Sequence, residues 1–292
     1  MSTVILLLIT GIGLGALYFL VASGLSLIYG LMHVLNFAHG SFLTLGGLVG
    51  WEVGRRVGDG TWGGLFVSML TGIVVGALFA IVTELLFIRR LYNRHIEQVL
   101  VTVGLGLATV ALFEGIWGTD PIITNKVPWL RGTTEILGAR IPNHIWLLIA
   151  CAAIVLAAIV LFLRFTRYGL IIRAGVENRT MVTALGIDVR KSFTLVFAIG
   201  GAAAGLGGVL ASVYYGNVSA HQGTSMLIYA FIVTVIGGLG SLPGAAIASV
   251  LVAVLQQFAN FYLGGTGDLI IVLALAAVLL VRPSGLMGRK LT

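Results

Sequence analysis

The sequence has very little charge and almost no cysteine. Asp, Glu, Lys and Arg make up only 9% of its 292 residues, too few to cover the surface of a soluble domain of this size. The single cysteine, Cys151, lies in an apolar run, so the chain forms no intrachain disulfide and has no cysteine cluster for a metal. No catalytic set is visible: there is no nucleophile elbow, no paired carboxylates and no metal-spaced histidine cluster. His33 and His39 are too far apart in sequence for the i, i+4 spacing of a helical metal site. Acids in or near the apolar stretches are few, among them Glu84, Glu114 and Asp268. Ion-coupled carriers usually need a buried acid or an ion cage in mid-span. None stands out, so energy for pumping is expected from another chain. The first residues, Met1-Ser2-Thr3-Val4, lack the basic start of a signal peptide, and the apolar run that follows is too long for one. It is expected to be retained as a span.

What the chain has in abundance is apolar sequence: 59% hydrophobic residues and a mean hydropathy of +1.09. That composition predicts an all-α polytopic integral membrane protein, a single membrane domain over residues 1–292. Apolar stretches run from Val4 to about Val34 (too long for one simple span), then Phe37 to Val53, Trp62 to Ile88, Val99 to Trp117 and Ile145 to Leu163. Beyond a polar loop come Phe193 to Tyr215, Met226 to Ile236, Ala245 to Leu263 and Leu269 to Val281. At about 20 residues per span this predicts about eight transmembrane helices, some broken or half-length.

Charge sets the orientation. The net charge of +7 sits in loops between spans, which topology explains without invoking nucleic acid. Arg89, Arg90 and Arg94, the segment 164–191, and the tail with Arg282, Arg289 and Lys290 should all face the cytoplasm. The segment Gly118 to His144 is then the main external loop. Arg55 and Arg56 fit this scheme badly, and the side of the amino terminus stays open. The 41 glycines predict close helix packing in lipid, with seams at Gly72/Gly76, Gly104/Gly106 and Gly200 through Gly208.

Three segments carry functional expectations. The first is an interruption, His33-Val34-Leu35-Asn36-Phe37-Ala38-His39-Gly40-Ser41. Polar groups inside apolar sequence are costly unless they face a cavity or satisfy freed backbone. Asn36 is expected to cap a helix restarting at Phe37, with Asn36, His39 and Ser41 lining a solute path. The second is Gly237-Gly238-Leu239-Gly240-Ser241-Leu242-Pro243-Gly244, where an ordinary helix cannot continue. Leu27-Ile28-Tyr29 and Gly40-Ser41 recur as Leu227-Ile228-Tyr229 and Gly240-Ser241. Paired interruptions point to a transporter's central pathway, so the two are expected to meet near mid-membrane, with Gly237, Gly238, Gly240 and Ser241 on the path. The third is the basic loop. Within it Arg173, Glu177, Asn178, Arg179, Leu185 and Gly186 read as a short helix ended by glycine that a cytosolic partner could grip.

On Asn36-Phe37-Ala38-His39-Gly40, Glu177-Asn178-Arg179 and Leu185-Gly186-Ile187, the chain resembles the LivH-type permease subunits of bacterial ABC importers for branched-chain amino acids. The resemblance extends from Gly24 through Gly244 to Leu286. It implies an ABC importer permease fold in the bacterial inner membrane, paired with a second homologous permease, two cytoplasmic ATPases and a periplasmic binding protein. ATP and Mg would sit on the ATPases, with no cofactor or metal in this chain. It also implies that the helix from Glu177 to Leu185 couples to the ATPase, with Arg173 and Arg179 making charge-assisted contacts. A mostly apolar path suits a small neutral amino acid, branched-chain or related. An ATP-independent channel or secondary carrier is the alternative, and a membrane enzyme the third.

Overall fold

The computed structural model describes residues 2–288 apart from 34, 93, 185, 187 and 188, and not the side chains of 176–180 and 189. The first four helices are α1 (Ser2–Met32), α2 (His39–Gly58), α3 (Trp62–Thr83) and α4 (His95–Trp117). α3 runs on through a π turn (Glu84–Ile88) and a 3-10 turn (Arg89–Leu91). Next come β1 (Ile122–Ile123), the short α5 (Pro128–Arg131), and the hairpin of β2 (Thr133–Ile136) with β3 (Ala139–Pro142). The second half holds α6 (His144–Phe165), α7 (Arg167–Ala184), α8 (Val189–Tyr215), β4 (Asn217–Val218), α9 (Gln222–Gly237), α10 (Leu242–Tyr262) and α11 (Gly267–Val281). β1 pairs antiparallel with β4, Ile122 opposite Val218.

Six helices (α1, α3, α4, α6, α8 and α10) are long and apolar enough to cross a membrane. α9 and α11 are shorter apolar helices, and α2 adds a more polar one. Among the described residues this is the expected polytopic helical architecture, with half-length elements included. The first apolar stretch, too long for one simple span, is not broken. It is one helix, and it is long because it is the hub of the bundle, buried against α6, α8, α9 and α10. Its 31 residues make a rod of about 45 Å, longer than the ~30 Å hydrocarbon core.

Packing relates the amino terminus to the loops. Ser2 lies beside Gly138, and α1 packs on β3, within the external segment. At the other end, Leu31 touches Gly175 of α7, in the basic cytoplasmic loop. The amino terminus therefore lies on the side of the segment 118–144, the one expected to be external. Arg55 and Arg56, near the end of α2, lie on that side too. Glu52 pairs with both (2.9 and 2.6 Å), and Trp51 lies 4.5 Å below the Arg55 guanidinium. Cys151 is buried, so a cysteine introduced at the surface reports its own side. Ser2→Cys in spheroplasts should react with a membrane-impermeant maleimide, and Arg167→Cys should react only after permeabilisation. The opposite pattern would invert the topology.

Glycines bring the central helices to backbone contact. A Cβ on Gly205 of α8 would overlap the carbonyl of Gly72, one on Gly76 that of Gly201, and one on Gly208 that of Leu43. Close approach of this kind replaces the hydrophobic drive that is missing in lipid. The expected seam at Gly104/Gly106 is different. Nothing described lies within 4 Å of a Cβ on Gly104, and Gly106 only faces Phe37 at 3.5 Å. α4 is peripheral, and a Cβ on Gly115 likewise meets nothing described within 4 Å.

Candidate functional site

After α1 ends at Met32, the chain turns back into the bundle. His33 takes a positive φ of 55° and donates its amide to Tyr29 O at 2.7 Å. Asn36 Oδ1 accepts from the Ala38 amide at 3.0 Å, and Asn36 O from the His39 amide at 3.2 Å. This Asx turn starts α2 at His39, two residues later than expected, because Asn36 shapes the turn before the helix and does not cap it. His39 is fully buried. Its Nε2 lies 3.1 Å from Val21 O, and a Cβ on Gly24 would meet its ring at 2.8 Å. The start of α2 is thus level with the middle of α1, deep inside the bundle. Ser41 Oγ meets Thr109 Oγ1 of α4 at 2.5 Å.

The partner of this half-helix is the start of α9. Chain returning from β4 enters the bundle at Ser219 and begins α9 at Gln222. A Cβ on Gly40 would lie 2.5 Å from Gly223 O, and the Gly223 amide donates to Thr44 Oγ1 at 2.9 Å. Two helix N-termini therefore abut in the interior. They form the arrangement of discontinuous helices found at transporter midplanes. Around the junction several buried polar atoms have no partner among the described residues: Asn36 Nδ2, His39 Nδ1, and both amide atoms of Gln222. On its outer face α9 exposes Thr224 and Ser225, preceded by exposed His221, whose Nε2 lies 2.7 Å from Glu114 Oε1. Exposed polar groups at this depth cannot face lipid.

The glycine-proline interruption lies elsewhere. Gly237, Gly238, Gly240 and Ser241 form the corner from α9 to α10. Gly238 and Gly240 have φ of 102° and 82°, which favours glycine, and Ser241 Oγ caps α10 through the Gly244 amide at 3.1 Å. The corner packs on Gly30, near the end of α1, and on the tail at Gly285 and Gly288. Leu286 and Met287 donate to Ile236 O and Gly237 O at 2.8 and 3.0 Å. The two interruptions are therefore not level. Gly30 and the Val21–Gly24 stretch are offset by roughly 10 Å along α1, so the corner lies toward the cytoplasmic face and the His39 junction deeper. Sequence reasoning missed Thr44, His221, Gln222 and Gly223. The signal was the echo of Ala38-His39-Gly40-Ser41 in Ala220-His221-Gln222-Gly223-Thr224.

The basic loop holds α7, which starts at Arg167, ahead of the segment expected to be helical. Thr166 accounts for this, since its Oγ1 caps the new helix through the Gly169 amide at 2.9 Å. Gly169, Ile172, Gly175 and Val182 are buried against the bundle, while Tyr168, Leu170, Arg173 and Met181 are exposed. Gly186 has a φ of 78° and donates to Thr183 O at 3.0 Å, the geometry of a glycine helix stop. Leu185 lies outside the described residues, as do the side chains of Glu177, Asn178 and Arg179.

The family model described as branched-chain amino acid transport system / permease component matches residues 7–282. The high-affinity branched-chain amino acid transport permease LivH of Salmonella typhimurium is 29% identical, over 96% of this chain and 94% of its own. The corresponding permease BraD of Pseudomonas aeruginosa is 28% identical, over 97% and 95%. A probable LivH of Methanocaldococcus jannaschii is 27% identical, over 92% and 88%. No solved structure matches the chain significantly.

Proposed function

The chain belongs to the family of branched-chain amino acid transport system permease components, and from that premise we propose that it forms half of a path for branched-chain or related small neutral amino acids. It is a multi-pass permease subunit of an importer in the inner membrane. In this reading the chain is non-catalytic and carries no cofactor. Two cytoplasmic ATPases, with ATP and Mg, supply the energy, a second homologous permease closes the path, and a periplasmic binding protein delivers the solute.

The observation that carries the reading is the meeting of α2 and α9 inside the bundle, with unsatisfied polar atoms at the junction and an exposed polar strip on α9. Asn36, His39 and Ser41 would support the path at mid-depth, and the Gly237, Gly238, Gly240, Ser241 corner would close its cytoplasmic end. α7 would be the coupling element, gripped by an ATPase on the face bearing Arg173 and on the turn through Glu177, Asn178, Arg179 and Leu185 to Gly186. Its buried face rests on Leu31, at the end of α1. Displacement of α7 would therefore press on the helix that carries the His39 junction.

The test is ATP-dependent uptake of radiolabelled leucine by proteoliposomes holding the whole complex. Uptake without ATP, or uptake only of a sugar or a cationic solute, would sink the reading. A valine at Gly186 must adopt the left-handed region at a cost of about 1–2 kcal/mol, so the helix stop should shift. Gly186→Val is expected to lower uptake and substrate-stimulated ATP hydrolysis together, by about tenfold for 1.4 kcal/mol, in a chain that still inserts. Unchanged coupling in that variant would count against α7.

A further inference from the structure

Asp268, in the first turn of α11, differs from the other membrane-proximal acids. Glu52 pairs with Arg55 and Arg56, Glu84 with Arg89, Glu97 with Arg94, and Glu114 with His221. Among the described residues no Lys, Arg or His forms an ion pair with Asp268. An acid in a first turn is favoured by the helix dipole alone, but two other helices also reach this one, and a third joins through Gln256. Its Oδ1 accepts from Gln256 Nε2 of α10 at 2.7 Å and from Tyr229 OH of α9 at 3.1 Å. Gln256 Oε1 in turn accepts from Tyr18 OH of α1 at 2.6 Å. The rings of Tyr18 and Tyr229 stack with centroids 4.9 Å apart and 17° between their planes. Tyr18 and Gln256 are buried, whereas Asp268 is exposed. Oδ2 has no donor among the described residues.

This is a carboxylate oriented by neutral donors and neutralised by none. Neutral donors set its position but leave its charge. In a membrane-embedded bundle an exposed anion calls for a cation. Asp268 lies at the external end of α11, where a solute arriving from outside would meet it. We propose that Asp268, oriented by Gln256 and Tyr229, binds the primary ammonium group of the transported solute as an entry site. The proposal rests on the reading that the solute is an amino acid.

The test uses the detergent-purified complex of this chain with its partner permease and ATPases, without the binding protein, and radiolabelled leucine as the probe. 3-Methylbutylamine, which keeps the ammonium, should displace leucine; 4-methylpentanoate, which lacks it, should not. Asp268→Asn should weaken leucine binding by about tenfold, the 1.4 kcal/mol expected of a lost charge-assisted contact. Asp268→Glu should restore part of it. Tyr229→Phe, which removes one hydroxyl, should weaken binding by about threefold, and the partner chains should co-purify with every variant. Wild-type affinity in Asp268→Asn, no saturable leucine binding by the unsubstituted complex, or displacement by 4-methylpentanoate would each overturn the proposal. So would loss of the second permease from Asp268→Asn, since the missing cation would then belong to that partner. ATP-dependent uptake by the unsubstituted complex tests the amino-acid reading separately. If uptake holds and Asp268→Asn binds normally, only the entry site falls; if no ammonium-bearing solute is carried, both fall.

Discussion

Gly205→Val should abolish a stable permease, whereas Gly104→Val should leave it intact. The two substitutions are chemically identical and both fall on membrane helices. They differ in what the new Cβ meets. At Gly205 it overlaps the carbonyl of Gly72 and approaches the backbone of Gly76, and Gly46 packs on the Gly205 backbone from α2. No side chain can rotate away from a clash between backbones, so α8 must separate from α3 and α2 along its buried length. Overpacking a core that can adjust costs 1–3 kcal/mol. Here about 3 kcal/mol is a lower bound, and it corresponds to a fall of roughly 10 °C in the unfolding midpoint. At Gly104 nothing described lies within 4 Å, and the helix gains a side chain at almost no cost. Thermal unfolding of the two variants in detergent, followed by size-exclusion of the tagged chain, gives the comparison. Equal midpoints would mean that the glycine seam does not hold the bundle together.

The contrast between these two glycines also shows what the sequence could and could not say. Hydropathy located almost every span, because a helix in lipid must be apolar over its length whatever it packs against. The small-residue pattern at Gly72, Gly76 and Gly201 to Gly208 was legible for the same reason, but the same pattern at Gly104 and Gly106 forms no close backbone seam among the described residues. Small residues permit close approach without requiring it. The interruption at Asn36 to Ser41 was legible because polar residues stood inside an apolar run. Its true counterpart at Ser219 to Gly223 was not, because it follows a polar external turn and looks like more of the same loop. The more conspicuous Gly237 to Gly244 stretch took its place in the sequence reading. Matches at an offset of 200 residues supported that choice, but Gly40 meets Gly223 while Gly240 meets Gly30. The group around Asp268 joins Tyr18, Tyr229 and Gln256 from four helices, and no local pattern could have announced it.

Glu84→Ala is expected to separate ATP hydrolysis from uptake and to destabilise the chain. Arg89 Nε lies 3.3 Å from Glu84 Oε1. The pair is one part of a larger group. Tyr92 also donates to Oε1, Thr194 donates to Oε2 at 2.8 Å, and Arg89 Nη2 donates to Thr194 Oγ1 at 3.0 Å. Burial, and then the neighbouring carboxylate, hold the Tyr92 hydroxyl protonated well above the usual tyrosine range. Glu84 is fully buried at the start of the π turn that ends α3, and such turns often mark sites of function or movement. Thr194 lies in α8, one turn beyond the segment that joins α8 to α7. The carboxylate therefore ties the end of α3 to the helix that follows α7, and under the proposed coupling role motion of α7 would reach α3 through it. The Arg89 side chain is 38% exposed, so solvent compensates part of its charge, and loss of the Tyr92 and Thr194 hydrogen bonds to the buried carboxylate accounts for a cost of about 1–3 kcal/mol. Glu84→Ala should lose that much stability. Glu84→Gln keeps the shape and an acceptor for Thr194 and loses less, yet it no longer holds the Arg89 charge. In proteoliposomes Glu84→Gln should hydrolyse ATP with reduced stimulation by substrate and import at a fraction of the normal rate. If Glu84→Gln imports normally with normal stimulation, the group is an anchor for α3 and transmits nothing.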